Sequence, residues 1–173
     1  MVIDENEVLR YLGYKGQNID AKLESLLEEC RDELRVISKE KYIYDIFHIG
    51  RKDRHIVLKD TTLVFSGGDI YEHLIHSERC ALMAATLGFE VDKRIALYSR
   101  TDLTKGVILD ACASAAIEGV CDDLEEEIRE KAKDMGYEIT TRFSPGYGDF
   151  PIDIQNDMVE VLKAYQRIGL TVN

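Results

Sequence analysis

Apolar residues recur every three or four positions from about Asp20 to Tyr42, at Leu23, Leu26, Leu27, Cys30, Leu34 and Ile37, which predicts an amphipathic helix. The pattern then changes. YIYDIFHI, Tyr42 to Ile49, is rich in aromatic and branched residues, and a turn signal over Gly50 to Asp53 separates it from HIVLKD, which predicts a hairpin. A short apolar run, Thr62 to Phe65, leads into SGGD, where Asp69 is placed to cap a helix running to Leu87 and stopping at Gly88. A strand is expected around Arg94 to Tyr98. Thr101 or Asp102 then opens a long helix ending near Met135, with Gly136 at the position that helix C-termini favour. A strand over YEITTRF, an irregular segment from Arg142 to Pro151 and a final helix from about Asp153 to Ile168 complete the reading. Strands gather mid-chain and do not alternate with helices, so the expected class is α+β, with a mainly antiparallel central sheet flanked by long helices.

The chain has 173 residues, 45% of them hydrophobic, which suits one domain with one core; residues 1–41 read as an N-terminal helical extension of it. A formal charge of −11 makes the surface repel phosphate backbones, so nucleic acid is not an expected ligand. No basic-then-apolar leader and no apolar run of bilayer length are present, so a cytoplasmic location without membrane attachment is expected. Cys30, Cys80, Cys112 and Cys121 form no CxxC pair and read as reduced core thiols, which leaves no ligand set for a redox cluster. His73, His76 and Cys80 are spaced to suit a metal if they share a helix, although packing roles are commoner for such residues. The SGG before Asp69 lacks the Lys-Ser/Thr of a phosphate loop and reads as a strand-to-helix turn.

Two features bear on chemistry. Glu118 lies among small and apolar residues in ILDACASAAIEGV; turned inward, its carboxylate needs a cation, a donor or a ligand, and turned outward it meets solvent or a lysine. The alanines and Gly119 beside it suit close approach by a ligand or by another helix. In RFSPGYGDFP, Arg142 offers a planar donor fork for a carboxylate, Pro145-Gly146 favours a turn that exposes main-chain groups, and Tyr147 adds an aromatic face that attracts a cation such as a sulfonium. The plainer alternative is a structural loop whose arginine bridges to Asp149 or Asp153.

R-x-S-P-G-Y-G-D-F-P resembles the S-adenosylmethionine-binding loop in the activation domain of cobalamin-dependent methionine synthase, especially the short stand-alone versions of that domain. LMAATLGFEVDKRI, the TD of SRTD, and LDACASAAIE occur upstream in the order the family shows, so the resemblance runs from about Gly68 to Thr171. It implies that Arg142 binds the amino-acid carboxylate, that main-chain groups around Ser144 and Gly146 meet adenine, and that Tyr147 and Glu118 complete the pocket. It also implies no catalytic side chain and no bound metal. In the family this domain presents S-adenosylmethionine to cobalamin that has slipped to the inactive cob(II) state, while a flavodoxin-like donor supplies an electron. The family continues past its last helix into a strand segment that helps close the site, so a chain reaching only Asn173 is expected to lack that part of the pocket. DIFHIG has the wrong spacing for a cobalamin-binding D-x-H-x-x-G, so any corrinoid is expected on a partner, a corrinoid-binding protein or methionine synthase modules. The expected function is methyltransferase-type support of corrinoid reactivation. The competing readings are a non-catalytic docking or regulatory module and a binder of some other nucleotide-like ligand.

Overall fold

Side-chain caps start the first two helices. Asp4 accepts from the amides of Asn6 and Glu7 at the head of α1 (Glu5–Tyr11), and Asp20 accepts from Leu23 at the head of α2 (Ala21–Ile37). The remaining elements are β1 (Lys41–Lys52), β2 (His55–Leu58), β3 (Val64–Phe65), α3 (Gly68–Leu74), β4 (Arg79–Thr86), α4 (Phe89–Thr101), α5 (Leu103–Asp134), α6 (Ile154–Val161) and α7 (Ala164–Ile168). They come from a computed structural model that describes residues 2–172; Asn173, to which the reading of an open pocket refers, lies outside the described residues. The chain is α+β, with a four-stranded antiparallel sheet in the order β3-β2-β1-β4.

Two compact units share the chain. One comprises the residues up to Lys41 together with Ala85–Leu124; the other comprises Tyr42–Ala84 and the residues from Glu125 onward. The first unit is helical. Leu27, Cys30 and Leu34 of α2 are buried with Val8, Val91, Leu109, Cys112 and Ala116, so the three- and four-residue spacing read in α2 does form a core face. Ala111, Ala113, Ala115 and Ala116 are buried there too, and their small size serves helix packing. The second unit holds the sheet, α3, the end of α5, α6 and α7, around a core that includes Ile49, Ile56, Leu58, Phe65, Ile70, Phe150 and Leu162.

Several expected elements differ. α2 stops at Ile37, because Ser38 is extended and the Lys39 amide bonds to the Leu87 carbonyl at 2.7 Å. The hairpin turns at Asp53 and Arg54, both at positive φ (50° and 60°), with Lys52 opposite His55. α3 ends at Leu74 and residues 79–86 are the strand β4: an apolar run of helix-forming residues is captured by the edge of β1, where sheet pairing outweighs propensity. Residues 94–98 lie inside α4 rather than in a strand, and Arg94 and Tyr98, one turn apart, both reach Glu33. YEITTRF alternates like a strand yet forms none; its Thr141 carbonyl lies 3.0 Å from His73 Nε2 instead. The last helix breaks into α6 and α7 at Lys163, which is left-handed (φ 53°, ψ 40°). No helix among the described residues is long and apolar enough to cross a membrane.

Candidate functional site

Residues 142–151 form an irregular loop pinned by aromatic rings. Phe150, 3% exposed, meets the Phe65 ring edge-on at 5.2 Å and the Phe143 ring at 6.1 Å, and Phe143 contacts His73 at 5.0 Å. Between these anchors the expected turn is present. Tyr147 N–H donates to the Ser144 carbonyl at 3.2 Å across Pro145-Gly146, and Gly146 takes a φ of 92°, as the third residue of a Pro-Gly turn requires. The Gly146 amide donates to the Phe150 carbonyl at 2.8 Å, and Phe150 N–H donates to the Tyr147 carbonyl at 3.0 Å. Tyr147 stands at the tip, 68% exposed.

A second lock ties the loop to α3. The expected cap, Asp69, does not cap its own helix; the Asp149 carboxylate accepts from Gly68 N–H at 2.6 Å and Asp69 N–H at 3.0 Å. In return Asp149 N–H donates to the Asp69 carboxylate at 3.3 Å. The amides of Asp69 and Gly68 hold the Asp149 carboxyl below the usual carboxylate range. A Cβ at Gly67 would lie 2.8 Å from an Asp149 carboxylate oxygen and 3.0 Å from its carbonyl oxygen, so the glycine is what permits this contact. Sequence reasoning missed this lock; its signal is the pairing of SGG with an acidic residue in a second glycine-bearing loop.

Arg142 forms an ion pair within the second unit. Its guanidinium lies 3.2 Å from Glu125, whose other oxygen accepts from Arg129 at 2.8 Å. Arg142, Ser144, Gly146 and Tyr147 are thus brought together in one loop of the second unit. Of the groups expected to meet adenine, the Ser144 carbonyl and the Gly146 amide are engaged within the loop, although a carbonyl keeps a second lone pair. Glu118 belongs to the first unit and is exposed, so the inward-facing carboxylate is not what the helix presents.

Cys30 and Cys112 are buried in the core of the first unit. His76 lies in the turn after α3 and Cys80 on β4, so they do not share a helix face. Burial pushes the thiols of Cys30 up to about 11 and of Cys80 and Cys112 up to about 12, which makes them poor nucleophiles. No protein-family model matches this chain, and no curated protein matches it by sequence.

Proposed function

We propose that this protein binds S-adenosylmethionine through the loop 142–151 and supports reductive methylation of a corrinoid carried by a partner, as a methionine synthase-like activation component. The observation that carries the reading is the loop itself. The residues that resemble the family's motif form a turn fixed by Phe143, Phe150 and Asp149, so the backbone that carries Arg142 and Tyr147 has little freedom left to lose on binding. The groups fit the ligand's chemistry: Arg142 suits its carboxylate, and the exposed Tyr147 ring suits a sulfonium. S-adenosylmethionine supplies an activated methyl group; the residues of this chain bind and orient it, and no general base is needed. The partners are a corrinoid-binding protein or methionine synthase modules and a flavodoxin-like donor, in the cytoplasm.

Calorimetric titration of the full chain with S-adenosylmethionine tests this. Arg142→Ala is expected to weaken binding by about 1.5–3 kcal/mol, the range for a hydrogen bond to a charged group. Tyr147→Ala, at a surface position that leaves the fold intact, is expected to weaken it as well. No binding by the folded parent would overturn the reading.

One observation favours the docking-module alternative. Glu125 already engages the Arg142 fork, so a carboxylate ligand has to share or displace it. Reconstitution with an inactive corrinoid protein separates the two, because only the activation component consumes S-adenosylmethionine.

A further inference from the structure

Successive side chains of a strand point to opposite faces of the sheet. On β1, Ile43, Phe47 and Ile49 join the core of the second unit, and Asp45 turns the same way to pair with Arg167. Tyr44, Ile46 and His48 face the other side. There they line a cavity of about 490 Å³ with Arg79 of β4, Lys131 near the end of α5, and Met135; Asp45 also contributes to its wall, with its carboxylate paired to Arg167. Every residue of this cavity belongs to the second unit.

Two cations line this cavity without a carboxylate partner among the described residues. With 33 acidic and 22 basic residues, carboxylates are plentiful, and arginines from Arg10 to Arg167 take them as partners. Arg79 and Lys131 do not. Among the described residues neither forms an ion pair; Arg79 lies over the Tyr137 ring at 5.0 Å with Nη1 3.5 Å from Met135 Sδ, and Lys131 lies over the Tyr44 ring at 5.2 Å. The Arg79 Nε is buried with no hydrogen-bond partner, and a buried donor left unmade is costly. The acids have other partners: Glu78 accepts from Tyr137 O–H at 2.8 Å, Glu127 accepts from Tyr42 O–H at 3.3 Å, and Asp45, in the cavity wall, pairs with Arg167.

We infer that this cavity is a binding site for a small organic phosphate, with Arg79 and Lys131 on the phosphate and Tyr44, Ile46 and Met135 against the organic part. A guanidinium fork and an ammonium lining one cavity suit a phosphate dianion. The volume falls in the range of small-molecule sites, roughly 300–1,000 Å³. None of the residues lining this cavity belongs to the loop 142–151, so the two sites are distinct. The phosphate site does not depend on what that loop binds.

Phenyl phosphate is the probe, titrated into the full chain by calorimetry and followed by amide NMR. Saturable binding at one site is expected, tighter than for phenol or inorganic phosphate and weakened by added salt. Arg79→Gln and Lys131→Gln should each weaken it about tenfold or more, the effect of losing a charged hydrogen bond, whereas Lys133→Gln should not. Shifts should centre on Tyr44, Ile46, Arg79 and Met135. Should Arg79→Gln fail to fold, Lys131→Gln, at an exposed helix position, decides alone. Absence of saturable binding, indifference to Lys131→Gln, or shifts centred on residues 142–151 would overturn the inference.

Discussion

Single residues of the second unit show how little tolerance the loop has. Gly67 sits at φ 128° with Asp149 pressed against the place a Cβ would occupy, whereas Gly136, at φ 78°, faces open space. Gly67→Ala should therefore cost about 2 kcal/mol or more, from strained backbone plus steric overlap, and Gly136→Ala only about 1 kcal/mol. Urea unfolding of the two variants checks the difference. Asp149 gives the loop an acid limit. Its carboxyl is depressed by the Asp69 and Gly68 amides, so its contribution is complete above the ordinary value of 3.8 and is lost as pH falls through the lower folded value. The Gly68 and Asp69 amide resonances should accordingly titrate below pH 3.8, and Asp149→Ala should abolish that titration.

At the scale of elements, a charged cluster and a helix break stand out. Glu33 of α2 accepts from the Tyr98 hydroxyl at 2.8 Å, lies 3.2 Å from Lys105 Nζ, and pairs with Arg94, so it joins α2, α4 and α5 in the first unit. Burial works to raise its carboxyl, but the hydrogen bonds from Tyr98 and Lys105 and the nearby positive charges outweigh it and leave it lowered. Glu33→Ala is expected to cost about 1.5–3 kcal/mol, because the Tyr98 hydroxyl loses its charged partner while Lys105 keeps Glu29 at 2.6 Å, and a fall in melting temperature measures it. The opposite sign is expected at Lys163. An exposed lysine held left-handed between α6 and α7 costs about 1 kcal/mol, so Lys163→Gly should raise stability by about that much in denaturant titration.

Across the whole molecule, the chain passes between its two units at Lys41, at Ala84 and within α5 after Leu124. Cys30 and Cys112 lie in the core of the first unit and Cys80 packs on the core of the second, and burial raises all three thiols. In the native protein they should resist iodoacetamide at pH 8. Across a urea series their alkylation should begin together, because α5 is one unbroken helix whose residues serve both units; mass spectrometry of the labelled peptides reads the outcome.

The features legible in the order of residues alone are local. The spacing in α2, the hairpin signal, the long helix closed by Gly136 and the Pro-Gly turn before Tyr147 each depend on neighbours a few residues away, and each is present. The tertiary structure decided what distant partners decide. Residues 79–86 are a strand because β1 offers an edge, YEITTRF is not a strand because nothing pairs with it, and α3 takes its cap from Asp149, some 80 residues away. The candidate site divides the same way. Its turn is legible in RFSPGYGDFP, but the pairing of Arg142 with Glu125, the outward face of Glu118 and the two cations over their tyrosines follow from packing that no local pattern encodes.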